Sequence, residues 1–356
     1  MAKKKQGWSM MGIAARVLML LSAGLLALSY VSMLVNPAKA WYFTFFGLLF
    51  IPFILLNVIM LIWAICRKSR TFIIPLLALL PGLLFIGRYF RFASGGAGKG
   101  DDCIKIMTYN VGKFSLGKGY EYSGSLDSIT ALVRRTNADI VCLQEFSSEH
   151  LNDVPKLLEA QFPDYFSCYY INMNAGGGSG NVTLSRFPIE SRGHLDFEES
   201  ANLAIYTDIR IGERRIRIYN CHFQSYSISL AALARNWKHR SVMRETEHRM
   251  KASIIKRPRQ VEQVLSDIED CPLESIVLGD FNDTPMSYTY HRLRKGRKDA
   301  FVEAGSGFGA TYSFLWPLIR IDYVLFPADF KGVSYSCKHV RFSDHYPVVT
   351  EINLPE

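Results

Sequence analysis

The heptapeptide Ile276-Val-Leu-Gly-Asp280-Phe-Asn282 decides the fold of the C-terminal part of the chain. Its apolar run predicts a buried strand, and the strand ends in a carboxylate and an amide. The same arrangement, an apolar run that ends in a polar side chain, recurs in three other segments: residues 104–110, 139–145 and 218–222, which end in Asn110, Glu145 and His222.

Two more polar groups lie next to predicted strands. Asp322 stands between apolar neighbours, and Ser343-Asp344-His345 precedes the last predicted strand, residues 348–352. Because neighbouring strands bring their ends together, these groups can converge on one pocket. Converging carboxylates repel each other unless a cation neutralises them, and carboxylate and amide oxygens suit Mg²⁺ or Mn²⁺. With imidazoles added, such a site favours phosphoryl chemistry.

The spacing of strands and helices predicts an α/β domain with two sheets flanked by helices. Residues 205–211 and 215–221 form a predicted hairpin around Gly212. Helices are predicted over residues 125–136 and 258–268. Residues 176–180, Gly-Gly-Gly-Ser-Gly, are interpreted as a loop and not as a phosphate cradle, because no Gly-Lys-Ser/Thr follows.

Five short motifs together resemble the endonuclease/exonuclease/phosphatase superfamily. In chain order they are Tyr109-Asn110, Gln144-Glu145, Gly279-Asp280-Phe281-Asn282, Asp322-Tyr323 and Ser343-Asp344-His345. The resemblance implies a four-layer α/β/β/α sandwich over residues 103–356 and a Mg²⁺-dependent hydrolase of phosphoric esters.

The resemblance also implies roles for individual residues. Glu145 is the expected principal metal ligand, with Asn110 close by and Asp344 at or near the metal. Asp280 is expected to orient or deprotonate the attacking water, and Asn282 to bind the phosphate. His345, held by Asp322, is expected to contact the phosphate and stabilise developing charge.

His222 resembles the second histidine of the deoxyribonuclease and sphingomyelinase branches. Abasic-site endonucleases tend to carry a tyrosine-bearing motif there, so this residue weighs against a DNA-repair role. Three structural alternatives stay open: Asn110 as a turn former, Asp322 as a partner of Arg320, and His222 as a buried edge histidine.

The first 100 residues differ in composition from the rest. They contain eleven Lys and Arg but no Asp or Glu, which leaves 30 basic and 32 acidic residues in the remainder. The pI of about 9.1 therefore reflects the N-terminal segment. It is not an argument for a nucleic-acid-binding catalytic part.

Apolar runs predict a bundle of about three transmembrane helices, over residues 17–35, 41–66 and 71–88, followed by a linker over residues 93–102. Two alternatives are a cleaved signal peptide and a third span that does not cross, because it contains Pro75 and Pro81. Seven basic residues flank one side and four the other, which favours a cytoplasmic N-terminus. The chain is thus expected to be an integral protein of a bacterial inner membrane with an extracytoplasmic catalytic domain.

Several features leave the partner open. The basic stretch of residues 235–259, net +7, suits anionic headgroups or is a solvated insertion. The expected partners are the lipid bilayer and a phosphate-ester substrate: a lipid headgroup or small phosphorylated metabolite is favoured over nucleic acid. The competing functions are an extracytoplasmic nuclease and a non-catalytic membrane scaffold. Disulfides among Cys103, Cys168, Cys271 and Cys337, and the oligomeric state, are left undetermined.

Overall fold

The computed structural model describes residues 10–93, 95–114, 122–174, 177–226 and 240–355. The chain divides into two compact units: residues 1–87 with 286–288, and residues 88–285 with 289–356.

The first unit is a set of apolar helices. They are α1 (Met10–Ser32), α2 (Phe43–Leu48), α3 (Phe50–Cys66) and α4 (Ile73–Leu79), with 3₁₀ turns over Arg70–Phe72, Leu80–Leu84 and Ile86–Arg88. Buried Asn57 of α3 donates from Nδ2 to Ser22 O of α1 at 3.0 Å and accepts from Ser22 Oγ at 3.0 Å. Such a polar contact joins helices whose remaining surfaces are apolar.

The expected bundle of three spans is corrected by the helix lengths. Among the described residues, one helix, Gly12–Ser32, is long and apolar enough to cross a membrane. The second apolar run is interrupted at Leu49, which lies outside helical geometry between α2 and α3. In the third run, Pro81 lies at the start of a 3₁₀ turn, so α4 ends after seven residues. A proline cannot donate its backbone hydrogen bond to the preceding turn.

The second unit contains fourteen described strands. They are β1 (Phe90–Arg91), β2 (Cys103–Asn110), β3 (Ile140–Ser148), β4 (Phe166–Asn174), β5 (Gly177–Ser185), β6 (Ile189–Asp196), β7 (Leu203–Ile211), β8 (Arg214–His222), β9 (Glu274–Asp280), β10 (Arg297–Asp299), β11 (Gly307–Phe308), β12 (Asp322–Pro327), β13 (Lys331–Cys337) and β14 (Val348–Asn353). The helices are α5 (Tyr122–Thr136), α6 (Val154–Gln161), α7 (Arg240–Asp270), α8 (Tyr288–Arg294) and α9 (Ala300–Ala304).

Twelve of these strands build two mixed sheets of six. Their orders are β10-β12-β9-β8-β7-β6 and β13-β14-β2-β3-β5-β4, and β1 pairs separately with β11. The β2–β3 and β8–β9 pairs are parallel and the other pairs are antiparallel. The predicted hairpin is confirmed: β7 and β8 pair, with Gly212 at a φ of 59° in the turn.

Alternation of side chains along the strands creates three apolar layers. Ile106 and Ile140 of one sheet pack with Ile218 and Leu278 of the other in a central core. The outer face of the sheet that contains β2 and β3 packs against α5 and α6, and the outer face of the sheet that contains β8 and β9 packs against α7 and α8. The expected sandwich of two sheets with helices outside is therefore present.

Local predictions needed correction in two places. Helix α7 begins at Arg240, well before Pro258, and carries this buried proline inside. The glycine-rich segment is not a loop from Gly177 onward, because Gly177–Ser185 forms β5 and pairs with β4. At Gly180 a Cβ would lie 1.9 Å from Tyr170 O, so glycine is required by strand packing. All seven cysteines are free thiols in this structure.

Candidate active site

Asp280 is the centre of the polar cluster, and strand register explains why. In the parallel pair β8–β9, His222 lies opposite Asp280, and in the antiparallel pair β9–β12, Asp322 lies opposite the same residue. Three strand ends therefore meet at one buried carboxylate, which is 1% exposed. This convergence is what the apolar runs ending in polar groups predicted.

Two amides hold the Asp280 carboxylate in place. Asn110 Nδ2, at the end of β2, donates to Asp280 Oδ2 at 2.9 Å. Asn282 donates from its backbone N to Oδ1 at 2.8 Å and from Nδ2 to Oδ2 at 3.1 Å. The second Nδ2 hydrogen of Asn282 reaches Phe223 O at 2.9 Å, which ties the loop after β9 to the residue following His222.

Unusual backbone conformations at two positions, Gly279 and Glu145, set the direction of the carboxylates in the site. Gly279 has a φ of +122°, and a Cβ there would lie 2.0 Å from Cys221 O, so only glycine can precede Asp280. Glu145 has a φ of 52° at an irregularity in the β3–β5 ladder between Leu143 and Phe146. A non-glycine residue in this region costs about 1–3 kcal/mol and is found preferentially at functional sites.

His345 and Asp322 form a buried pair beside Asp280. His345 Nδ1 lies 2.9 Å from Asp322 Oδ2, and its Nε2 lies 3.7 Å from Asp280 Oδ2. Although burial alone lowers the pKa of His345, the Asp322 and Asp280 carboxylates raise it well above its usual value. Asp322 is therefore a partner of His345. The alternative pairing with Arg320 is wrong, since Arg320 binds Asp299 through two hydrogen bonds.

Glu145 is linked to Asp280 through Asn110, which donates to both carboxylates. Its Oε1 accepts from Asn110 Nδ2 at 3.2 Å and lies 3.6 Å from His222 Nε2. Burial raises the pKa of Glu145, but His222 and the Asn110 hydrogen bond outweigh this and lower it overall. For Asp280, burial dominates and raises the pKa to about 6.

A pocket of about 190 Å³ opens beside this cluster. Glu145 and His222 form one wall, next to Lys113. The remaining lining residues are mostly small and polar: Ser179, Gly180, Asn181, Ala201, Asn202, Leu203 and Ser225. An anionic group can therefore approach Glu145 and His222 from solvent.

Asp344 lies at the edge of the cluster and is exposed. Its Oδ1 accepts from Ser343 Oγ at 3.2 Å and would be 3.5 Å from a Cβ at Gly112, two residues beyond Asn110. Ser343 Oγ also accepts from His345 N at 3.2 Å, so the motif fixes its own backbone. The structure thus brings all eight sequence-predicted site residues to one end of the sandwich.

The chemistry of the donor set fits a divalent cation. Glu145, Asp280, Asp322 and Asp344 supply hard oxygen atoms, as Mg²⁺ or Mn²⁺ requires. Asp280, Asp322 and His345 each place one ligand-type atom within 4.8 Å of the others. Asp322, however, is already bound to His345, and the roles of Glu145 and Asp344 as metal ligands stay predictions. Asn110 donates to two carboxylates, while its Oδ1 accepts from Gly112 N. Its role as a ligand stays a prediction.

Sequence reasoning missed two sets of buried polar residues behind the site. Gln144 Nε2 donates to Asn220 Oδ1 at 2.7 Å and to Thr108 Oγ1 at 3.0 Å, between the sheets. Arg257 of α7 pairs with Asp283 at 2.9 Å and donates from Nε to Gln224 O at 2.8 Å. Thr108 and Asn220 stand between largely apolar neighbours in the sequence, whereas Arg257, between Lys256 and Pro258, has no such signal.

The basic stretch is only partly described, since residues 235–239 lie outside the described residues. From Arg240 onward it is the first part of α7. Within it Arg257 is 1% exposed, so this residue belongs to the protein interior and not to a solvated face.

Comparisons with known proteins agree with this geometry. A family model described as "Domain of unknown function (DUF8431)" matches residues 13–89. The uncharacterized protein YbhP of Escherichia coli strain K12 is 26% identical over 274 residues, which cover 70% of this chain and 96% of that protein.

Solved structures share the fold. An endonuclease/exonuclease/phosphatase from Bacteroides vulgatus matches with a TM-score of 0.54 at 17% identity, over 71% of this chain and 99% of that one. The human Nocturnin catalytic domain, with a bound sulfate anion, gives a TM-score of 0.52 at 15% identity, over 72% and 95%. The model of the Endonuclease/Exonuclease/phosphatase family matches residues 107–345, and the chain belongs to that family.

Proposed function

We propose that this protein is a membrane-anchored phosphoesterase that hydrolyses a phosphodiester or phosphomonoester with the help of a divalent cation, Mg²⁺ or Mn²⁺. The observation that carries the proposal is the convergence of Glu145, Asp280 and His345 beside an open polar pocket. The family is named for hydrolases of phosphate esters, which supports the reaction class.

The residues can divide the work of hydrolysis as follows. Asp280, whose pKa burial raises to about 6, orients the attacking water and accepts its proton. His222 binds a phosphate oxygen. Asn282 would bind another by turning one Nδ2 hydrogen away from Phe223 O, which accepts it in this structure. His345, held by Asp322 at 2.9 Å and charged because its pKa is raised, stabilises negative charge on the phosphate in the transition state.

Glu145 and Asp344, with Asn110 beside them, are the residues proposed to hold the cation. When bound there, it would neutralise the phosphate and polarise it toward attack. Without such a charge, the carboxylates of this site would repel an anionic substrate.

The substrate class favoured here is a lipid headgroup or a small phosphorylated metabolite. Residues 101–356 carry 30 basic and 32 acidic residues, so they lack the positive field that draws proteins to duplex DNA. The apolar helix Gly12–Ser32 supports an anchor in a membrane.

The active site is proposed to lie outside the cytoplasm of a bacterial inner membrane. Basic residues near the N-terminus favour a cytoplasmic start, and a single span, Gly12–Ser32, then places the C-terminus on the other side. To test this, a reporter enzyme that works only outside the cytoplasm is fused after Glu356, and the fusion should show reporter activity. Activity of a cytoplasm-only reporter would instead mean an even number of spans.

The function is tested with the purified full chain on phospholipid, nucleotide, sugar-phosphate and DNA substrates, with and without Mg²⁺. We expect turnover that depends on the metal ion, and we expect Glu145→Gln to abolish it. Turnover confined to DNA would make the protein a nuclease. No turnover of any substrate, together with no binding of Mg²⁺ or Mn²⁺, would point to a non-catalytic scaffold.

A further inference from the structure

A cluster of exposed aromatic side chains lies in the second unit, outside the polar site. Phe92 is 96% exposed, Phe314 65%, Phe308 48% and Trp316 45%. Phe90 packs against Phe92 and Phe308, with ring centroids 5.0 and 4.9 Å apart, and Phe308 packs edge-on against Trp316 at 6.0 Å. We call Phe90, Phe92, Phe308, Phe314 and Trp316 the aromatic patch.

The patch is built from three separate segments that the fold brings together. Strand β1 pairs with β11, so Phe90 lies opposite Phe308. Trp316 follows the 3₁₀ turn Ser313–Leu315 that carries Phe314. The contacting rings of Phe90, Phe92, Phe308 and Trp316 expose a larger continuous apolar area than singly scattered surface residues do. Phe314, two residues before Trp316 in the chain, adds a further exposed ring.

The surroundings of the patch have the chemistry that a lipid bilayer surface requires. Phe90 and Phe92 directly follow the apolar segment that ends at Gly87. His339, exposed and edge-on to Trp316 at 5.4 Å, lies in a loop with Lys338 and Arg341. Aromatic rings beside cationic side chains are typical of the interface between hydrocarbon and headgroups.

The patch is also attached to the candidate active site. Tyr312, two residues before Phe314, forms a β-bridge with His345, and their rings are 5.4 Å apart. Ser313 N donates to Asp344 O at 2.8 Å. Thr311, the residue before Tyr312, accepts through its Oγ1 from Asp322 N at 3.1 Å. The loop that carries Phe314 and Trp316 is thus hydrogen-bonded to the segments that supply His345 and Asp322.

From this geometry we infer that the aromatic patch docks on the bilayer surface and holds the active site against phosphate esters of membrane lipids. The docking follows from the patch itself. The lipid substrate rests on the proposed phosphoesterase function.

The docking is tested with the full chain reconstituted in vesicles of phosphatidylglycerol and phosphatidylcholine. Tryptophan emission is compared between wild type and Trp316→Phe, with and without lipids brominated on their acyl chains. The difference signal, which belongs to Trp316, should be quenched by brominated lipid and shielded from iodide. A Trp316 signal that iodide quenches and brominated lipid does not would overturn the docking.

The activity arm uses Phe314→Ser and Trp316→Ser on two substrates. Headgroup release from the vesicles should fall about tenfold for each variant, whereas hydrolysis of water-soluble bis(p-nitrophenyl) phosphate should be unchanged. The matched control is Phe166→Ser. Phe166 is 53% exposed on β4, at the other edge of the sheet from β13, and its replacement should change neither rate.

The two proposals fail in different ways. Wild-type protein that cleaves neither substrate contradicts the phosphoesterase function, while the quenching result still decides the docking. Equal losses on both substrates in the patch variants would overturn the docking role and leave the phosphoesterase function standing.

Discussion

Two charged clusters in the second unit are equally buried but differ in charge balance. In one, Arg320 and Asp299, each 1% exposed, form a bidentate pair with distances of 3.0 and 2.7 Å. In the other, the two carboxylates of Asp280 and Asp322 share His345. The clusters lie close in sequence, since Arg320 and Asp322 are two residues apart.

The difference in charge balance between the two clusters is reflected in the pKa values of Asp280 and Asp299. Burial raises the pKa of both Asp280 and Asp299, but Arg320 more than compensates at Asp299, whose pKa ends below its usual value. At Asp280 the pKa rises to about 6. A balanced buried pair therefore serves stability, whereas an unbalanced one keeps a carboxylate ready to exchange protons or bind a cation.

The largest effect on turnover is expected when Asp280 of the unbalanced cluster, or Glu145 beside it, loses its carboxylate. Glu145→Gln and Asp280→Asn should each lower metal-dependent turnover by roughly 10³-fold, because each removes a charge on which the cation and the water depend. Glu145→Gln should not lower the thermal midpoint of the full chain in detergent, because its amide oxygen can still accept from Asn110 Nδ2. Near-wild-type turnover in either purified variant would remove that residue from the mechanism.

Breaking the balanced pair of Arg320 and Asp299 should lower the stability of the fold and leave turnover nearly unchanged. Asp299→Asn leaves the Arg320 guanidinium buried without its counter-charge, which costs about 3–5 kcal/mol. The cap of α9 is not lost, because asparagine can still accept from Phe301 N as Asp299 does. The thermal midpoint should fall on the order of 10 °C, while turnover per folded molecule stays near wild type.

The pH dependence of this variant has a defined sign. The folded pKa of Asp299 is depressed, so its carboxylate stabilises the fold above the unfolded pKa of about 3.9. That contribution is lost as the pH falls through the lower, folded value. The gap in midpoint between wild type and Asp299→Asn should therefore be constant near neutral pH and narrow below about pH 4. A constant gap down to pH 2 would contradict the assignment.

A smaller effect on turnover is expected at His345 and Asp322. His345→Ala and Asp322→Asn should each lower turnover by about 10²-fold, and the double variant should lose little more, because an imidazole and the acid that orients it act as one unit. Turnover of the three variants is measured at saturating Mg²⁺. Losses that multiply in the double variant would mean that the 2.9 Å contact has no catalytic role.

The sequence predicted the convergence of the site's side chains because its signals are local. Each of Asn110, Glu145, His222 and Asp280 ends or closely follows an apolar run, and parallel or paired strands bring such ends together. Contacts between residues that are far apart in the chain could not be predicted from such local patterns. Arg320 lies next to Asp322 in the chain yet binds Asp299, and this choice depends on packing that periodicity does not encode.

Helix and strand boundaries were predictable only where propensity agreed with packing. Proline suits the first turn of a helix, which is the reason to predict a helix start at Pro258, but Pro258 lies buried inside α7. The glycines of β5 contradicted strand propensity, and close approach to Tyr170 O of β4 explains them. The apolar runs of the N-terminal segment were long enough to predict three spans, but Leu49 and Pro81 divide two of them.

Arg257 is the residue that sequence reasoning could least have placed, and it gives the smallest expected effect. Its side chain joins two loops beside the site: it pairs with Asp283, which follows Asn282, and it donates to Gln224 O, two residues after His222. Tyr226 OH closes the arrangement with a 2.7 Å hydrogen bond to Asp283 Oδ1, and its ring lies 4.3 Å from the guanidinium. Arg257 is therefore expected to be a positioning residue.

Arg257→Lys keeps the charge but loses the planar fork that reaches both loops. The turnover number should fall roughly tenfold with little change in KM, because small misplacements of His222 and Asn282 weaken transition-state contacts more than substrate binding. The control is Arg259→Lys, an exposed arginine on the same helix, which should keep its turnover number. If Arg257→Lys lowers only the thermal midpoint and leaves the turnover number at that of the control, Arg257 stabilises the fold without positioning the site.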